Sequence, residues 1–134
     1  MKPALIDTDT LSYFFRNHPE VVEKLDKYLT EFGVVNISVI TYYEVLNGLY
    51  FKDAKKQIAR FEDFVAANEV LSLTDEIAKK AAKIYADLRA SGKTVGHNDI
   101  LIASTAIVKG MTLVSNNTKH FKHIEELDLD NWTR

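Results

Sequence analysis

Residues 4–9 have the sequence Ala-Leu-Ile-Asp-Thr-Asp, and this stretch decides the class of fold. Three apolar residues in a row, ended by a carboxylate, are typical of a short strand that is buried on both faces. Helical patterns follow at once, because residues 11–16 predict a short helix and Pro19 suits the first turn of a second one. A buried strand that leads into helices favours a parallel sheet with helical crossovers.

Strands and helices alternate along the rest of the chain. Further strands are predicted by β-branched or apolar runs at 34–39, 70–73 and 113–114, with a weaker one between 127 and 132. Helices are predicted between them by apolar spacing, near 19–32, 41–49, 58–65, 75–91 and 99–109. A capping box from Thr41 to Glu44 opens one of these helices, and His97 or Asn98 caps the last. Right-handed crossovers would place helices on both faces, so we expect an α/β fold: a three-layer α/β/α sandwich around a central parallel sheet of four to five strands.

Composition narrows the range of functions. The 134 residues, with a mass of 15.2 kDa, suit a single domain spanning 1–134. The absence of cysteine excludes disulfides, a zinc–thiolate site and a cysteine nucleophile. With 17 basic and 19 acidic side chains the net charge is −2, so a nucleic-acid role would need a local basic patch or a bound metal.

Nothing in the sequence indicates a membrane protein. No apolar run has the length of a membrane span, and Asp7 follows too soon after the start for a signal peptide. We therefore expect a soluble, cytoplasmic protein with no membrane partner.

Acidic residues follow several predicted strands. Asp7 ends the first strand, Glu44 lies about one helical turn beyond the second, and Asp99 opens the helix that leads to the fourth. In open parallel sheets the functional site lies beyond the carboxyl ends of the strands, so these carboxylates should meet at one edge. Carboxylates that share a site need a counter-ion, and an all-oxygen donor set selects Mg²⁺ or Mn²⁺.

Each acid also has a purely structural explanation. Asp7 could start a turn or cap the first helix, although Asp9 is the better candidate for that cap and is more easily explained as structural than as a ligand. Glu44 fits the capping box, and Asp99 suits the helix dipole whether or not it binds anything. The joint placement of the acids at one sheet edge is what favours a functional site.

Four motifs in this sequence resemble those of PIN domains, and most closely those of VapC-type toxins of toxin–antitoxin pairs. They are, in chain order, LIDTD at 5–9, ISVITYYE at 37–44, NDILIASTA at 98–106 and LVSNNTKHF at 113–121. Together they cover nearly the whole chain. The resemblance implies a Mg²⁺-dependent endoribonuclease (Mn²⁺ is the alternative ion) that hydrolyses RNA with metal-activated water, is neutralised by a small cognate antitoxin and forms a homodimer.

The resemblance also assigns roles to the acids. Asp7, Glu44 and Asp99 match the catalytic triad, with Asp7 and Asp99 as the principal metal ligands. Glu44 would act as a ligand through water or would orient the nucleophile. Where the family often has a fourth acid, the nearest match is Asn117, which can coordinate through its carbonyl oxygen but carries no charge.

Other side chains are candidates for support and substrate binding. Thr8, Ser38 and Ser115 could hydrogen-bond the carboxylates and fix their rotamers. RNA phosphates could be bound by scattered cations, of which the candidates are Arg16, Lys52 and Lys119, with Lys55, Lys56, Arg60 and Lys93. The aromatic residues at 13–15, 42–43 and 50–51 exceed what short helices need for a core, so part of them would suit self-association or an antitoxin helix.

Three alternatives stay open at this stage. The run from Asp7 to Leu11 also resembles the opening motif of haloacid-dehalogenase-like phosphatases, with Asp7 as the nucleophile, but Asp128 and Asp130 follow no convincing core strand. A receiver-like signalling domain would leave Glu44 and Asp99 without a role. A PIN scaffold that only binds a partner is favoured by the missing fourth acid and opposed by the three acids that are present.

Overall fold

The computed structural model describes residues 2–134 and contains short strands that alternate with longer helices. The strands are β1 (Ala4–Ile6), β2 (Asn36–Ser38), β3 (Glu69–Leu71), β4 (Thr112–Val114) and β5 (Leu129–Asp130). The helices are α1 (Thr8–Phe15), α2 (Pro19–Phe32), α3 (Val39–Phe51), α4 (Lys55–Ala66), α5 (Asp75–Ala90), α6 (His97–Val108) and α7 (Thr118–Phe121).

The strands form one sheet in the order β3-β2-β1-β4-β5, and every pairing is parallel. Strand β1 is central and fully buried, with Leu5 opposite Asn36 on one side and Leu113 on the other. The predicted α/β fold with a parallel sheet of four to five strands is therefore confirmed, and the sheet has five strands.

Helices cover both faces of the sheet, because successive strand residues point to opposite sides. Leu5 and Leu113 belong to a buried cluster with α5 and α6, whereas Ile6 and Val114 belong to a second cluster with α1, α2 and α4. This alternation produces the expected three layers. Across residues 2–134, none of the helices has the length and apolar character needed to cross a membrane.

The predicted capping box at the start of α3 is wrong. The helix begins at Val39, and Ser38 is its N-cap, with the Ser38 hydroxyl accepting a hydrogen bond from the Thr41 backbone N–H at 3.0 Å. Strand β2 therefore ends one residue earlier than the β-branched run suggests. Serine satisfies the free N–H groups of a first turn well, and this outweighs the strand preference of the β-branched Val39 and Ile40.

Two other helix starts also differ from the prediction. Helix α1 begins at Thr8 with Asp7 as its N-cap, so Asp9 lies inside the first turn and does not cap the helix. Helix α6 begins at His97 with Gly96 as its N-cap, so neither His97 nor Asn98 caps it. Helix α7 was not expected from the sequence, since four residues carry too little periodicity to reveal a helix.

Candidate active site

Asp7 occupies the carboxyl end of the central strand and is almost fully buried, with 4% of its surface exposed. Its backbone N–H extends the β1–β4 ladder by donating to the Val114 carbonyl at 2.9 Å. Its carboxylate accepts hydrogen bonds from the Ser115 hydroxyl at 2.7 Å and from the Thr8 N–H at 2.8 Å. The sheet and both neighbours therefore hold the Asp7 side chain in one orientation.

The surroundings of Asp7 oppose its negative charge. Burial raises the pKa of Asp7 to about 7, and the nearby charges of Asp9 and Asp99 act in the same direction. The hydrogen bonds from Ser115 and Thr8 lower it, but by less than burial raises it. A carboxyl group held this way is a strong ligand for a cation, because a bound cation relieves the penalty on the charged form.

Asp9 lies beside Asp7 and holds the loop that follows β4. Its carboxylate accepts from the Asn116 backbone N–H at 3.1 Å and lies 3.5 Å from the Ser115 hydroxyl. Its charge also contributes to the raised pKa of Asp99. The sequence predicts a capping role for Asp9, whereas in the structure it lies among the acids. Its position two residues after Asp7, at the same sheet edge, was the signal available in the sequence.

Glu44 is held between three helices. Thr8 of α1 donates its hydroxyl to Glu44 Oε1 at 2.6 Å, and Asn98 of α6 donates to Oε2 at 3.4 Å. The Thr8 hydroxyl also lies 3.0 Å from the hydroxyl of Thr41, on the preceding turn of α3. The sequence predicts Asn98 only as a helix cap and does not reveal its contact with Glu44.

Asp99 lies in the first turn of α6, with 28% of its side chain exposed. Burial raises its pKa and the charge of Glu44 raises it further, whereas His120 lowers it. His120 Nδ1 lies 3.8 Å from Asp99 Oδ2 and 2.9 Å from the Asn117 amide nitrogen. Asn117 therefore contacts the site through His120, a residue for which the sequence predicts no role.

The remaining candidates fall into two groups. Ser38 forms its side-chain hydrogen bond with the Thr41 N–H rather than with a carboxylate, because it is needed as the cap of α3. The cations Arg16, Lys52 and Arg60 line a groove that also includes Thr8 and Glu44. Other predicted RNA-binding cations lie outside that lining, namely Lys55 and Lys56 on α4, Lys93 after α5 and Lys119 on α7.

The donor set fits a hard divalent cation in its chemistry. Asp7, Asp9, Glu44 and Asp99 offer only oxygen, and burial together with neighbouring acidic charges raises the pKa values of Asp7 and Asp99. Across residues 2–134, no group of three or more acidic or histidine side chains is gathered closely enough to hold a metal ion. Mg²⁺ typically keeps several waters and binds through one or two carboxylates, so a loose cluster matches this ion.

Known proteins resemble this chain over almost its entire length. The sequence pattern of the PIN domain matches residues 4–127. Ribonuclease VapC2 of Haemophilus influenzae strain Rd is 32% identical over 98% of this chain and 99% of that protein. The tRNA(fMet)-specific endonuclease VapC of Salmonella typhimurium is 29% identical, with 98% and 99% covered. A crystal structure of DNA-bound VapBC from Salmonella typhimurium matches with a TM-score of 0.88 and 29% identity, over 98% of this chain and 99% of that chain. The chain belongs to the PIN domain family, and within that family to the VapC ribonucleases.

Proposed function

We propose that this chain is a metal-dependent endoribonuclease and the toxin of a toxin–antitoxin pair. One observation carries the proposal: the Asp7 carboxyl group is buried at the carboxyl end of the central strand, with the acids Asp9 and Asp99 near enough for their charges to act on it. Such a cluster costs stability unless a cation occupies it, and binding of a cation is the simplest reason for the arrangement.

The ligands in this proposal are Asp7 and Asp99, with Glu44 acting through water and Asp9 as a further negative charge. Asn117 stays a weaker candidate, since its amide contacts His120. When bound, Mg²⁺ or Mn²⁺ would neutralise charge on the phosphodiester and lower the pKa of a water molecule. Thr8 and Asn98 each donate to one oxygen of Glu44, which fixes the carboxylate in position to orient a water molecule through its remaining lone pairs.

The substrate and partners follow from relatives and are part of the proposal. Relatives are named as ribonucleases, and one of them as specific for tRNA(fMet), so RNA is the proposed substrate and tRNA the first class to try. Solved neighbours are VapBC complexes, so the proposed partner is a small cognate antitoxin. We further propose that the protein is cytoplasmic.

A homodimer is also proposed, because three aromatic side chains of α3 are exposed. Tyr43, Tyr50 and Phe51 have 58%, 63% and 92% of their surface accessible to solvent. In contrast, the aromatic residues of α1 pack against the cluster on their face of the sheet. Exposed rings on one helix suit self-association or contact with a partner helix.

The proposal is tested by the substitution Asp99→Asn, which keeps the shape of the side chain and removes its charge. We expect cleavage of purified tRNA in Mg²⁺ to fall by about 100-fold or more, and wild-type cleavage to stop in EDTA. Asp75→Asn is the matched control, since Asp75 occupies the first turn of α5. This variant should cleave tRNA as wild type does. Equal turnover by Asp99→Asn and wild type, with both folded by circular dichroism, would refute the proposal.

The phosphatase alternative receives no support from the acid positions. Asp128 pairs with Lys2 at the surface, and Asp130 accepts a hydrogen bond from the Asn131 N–H, so neither joins the cluster around Asp7. A phosphatase of that type would need further acids beside its nucleophile.

A further inference from the structure

A groove of about 560 Å³ lies between α1, α3 and α4, directly beside the acids. Thr8 and Glu44, which hydrogen-bond each other, form part of its lining. Phe15, Leu49 and Phe61 supply apolar surface, and Gln57 supplies a polar edge. Clefts of this volume, mostly apolar with a few polar groups, are typical ligand sites.

Positive charge surrounds this groove in a protein whose net charge is −2. Arg16, Lys52 and Arg60 all contribute to its lining. Within residues 2–134, none of the three forms an ion pair with a carboxylate. Arg60 donates to the Phe15 carbonyl at 3.1 Å and lies over the Phe15 ring at 5.0 Å, so this cation is fixed beside an aromatic face. Unpaired cations beside a cluster of acids favour an anionic occupant.

Gly48 is an independent indication that the groove is kept open. It lies inside α3 and lines the groove, although glycine is among the weakest helix formers. A Cβ atom built at this position meets nothing within 4 Å, so packing within the chain does not require a glycine. A side chain there would instead occupy space in the groove, and close approach to a ligand is a common reason for glycine.

We propose that this groove binds one nucleotide of the RNA strand, next to the bond that is cleaved. The base lies against Leu49 and the Arg60 guanidinium that covers the Phe15 ring, with its edge toward Gln57, while the flanking phosphates meet Arg16 and Lys52. Recognition of an unstacked base by stacking on a planar side chain, such as an arginine guanidinium, and of its backbone by cations is the usual mode for single-stranded RNA. The inference rests on the proposed function for its substrate class and adds the subsite that would select a nucleotide.

The test measures RNA binding without cleavage. A short fluorescein-labelled single-stranded RNA of mixed sequence is titrated with the full chain in EDTA, and fluorescence anisotropy gives the Kd. Gly48→Gln fills the groove with a good helix former, and we expect a Kd about tenfold higher or more. Asn47→Gln is the matched control on the adjacent helix position and should stay within about twofold of wild type, since stacking in the groove is untouched.

A second variant distinguishes contacts with the base from contacts with the phosphates. Lys52→Ala should reduce the slope of log Kd against log salt by about one, whereas Gly48→Gln should weaken binding and leave the slope unchanged. Equal RNA affinity for Gly48→Gln and wild type would overturn the inference, and so would wild type that binds no RNA at low salt. Loss of antitoxin binding with RNA affinity intact would make the groove a protein-docking site and would equally overturn it. Because binding is read in EDTA, a wild-type protein that binds RNA but never cleaves it would refute the proposed function alone.

Discussion

Asp7 combines two roles that oppose each other at the level of a single residue. It caps α1 and anchors the end of β1, which requires burial, yet its proposed chemistry requires a charge. Ser115 and Thr8 compensate only part of the cost, because the pKa remains at about 7. The charge of Asp7 should therefore destabilise the metal-free protein.

The first prediction concerns Asp7→Asn in EDTA. The folded-state pKa of about 7 lies above the unfolded value of 3.8, so the folded protein binds more protons between these values and loses stability as the pH rises through them. At about pH 8 the variant should be more stable than wild type by about 2–4 kcal/mol, and the difference should shrink toward about pH 4. Urea unfolding at both pH values measures this.

Asp63→Asn provides the control for that experiment, since Asp63 is exposed on α4 and should leave the pH profile of wild type unchanged. If the free energies of unfolding of wild type and Asp7→Asn changed with pH in the same way, the folded protein would not oppose the negative charge of Asp7.

Single residues of the site could be predicted from the sequence where the residue follows shortly after the end of a strand. Thr8 and Ser115 were expected to bond to carboxylates, and both do. Asp9 was misjudged because a helix-start aspartate looks the same in sequence whether it caps a helix or faces a site. His120 was missed because its approach to Asp99 depends on the loop after β4, which no local pattern describes.

At the level of elements, the start of α3 couples helix stability to the site. Ser38 caps the helix that carries Glu44, and Thr41, which donates to that cap, also contacts Thr8 through its hydroxyl. A disturbed first turn would therefore alter the hydrogen bond between Thr8 and Glu44.

The second prediction is that Ser38→Ala lowers the free energy of unfolding by about 1 kcal/mol, the usual cost of losing an N-cap. Urea unfolding followed by circular dichroism measures this loss. Ser38→Thr should recover part of the stability, because threonine keeps a capping hydroxyl without adding a buried charge. Ser72→Ala, at an exposed position, should change stability by less than about 0.5 kcal/mol. A Ser38→Ala protein as stable as wild type would contradict the capping role.

Helix existence could be predicted from the sequence better than helix boundaries. The apolar spacing from Ile77 to Leu88 predicts α5. Gly33 predicts the end of α2, because it adopts a φ of +82° there. The starts of α1, α3 and α6 differed because several capping residues stand close together in each case. For α1 and α3, the capping residue depends on where the preceding strand ends, and sheet pairing decides that.

At the scale of the whole molecule, the C-terminal segment at 131–133 packs against the rest of the fold. Trp132 is 5% exposed and packs against Tyr28 of α2, with ring centroids 5.8 Å apart. Its neighbours Asn131 and Thr133 both donate to the side-chain oxygen of Asn116. The segment thus joins the cluster on one face of the sheet to the loop held by Asp9.

The third prediction is that Trp132→Ala destabilises the protein by about 3–5 kcal/mol, as expected when a large buried ring is removed. Because Trp132 is the one tryptophan in the sequence, unfolding must be followed by circular dichroism rather than fluorescence. Leu73→Ala, with 43% of the leucine exposed, should cost less than about 1 kcal/mol. A small effect at Trp132 would mean that the C-terminal segment is not part of the core.

The parallel α/β class could be predicted because long helices between short apolar runs allow little else. The strand order could not, since pairing depends on contacts between distant residues such as Leu113 with Leu5. The two-residue strand β5 was only weakly indicated, because it is too short to carry a pattern of its own.

The central claim is that the acids at the carboxyl end of β1 bind a divalent cation, and anomalous diffraction from a crystal soaked in Mn²⁺ tests it most directly. The account predicts a manganese peak in contact with Asp7 and Asp99, with water completing the coordination. No peak there at saturating Mn²⁺, with the carboxylates of Asp7 and Asp99 turned away from each other, would contradict it.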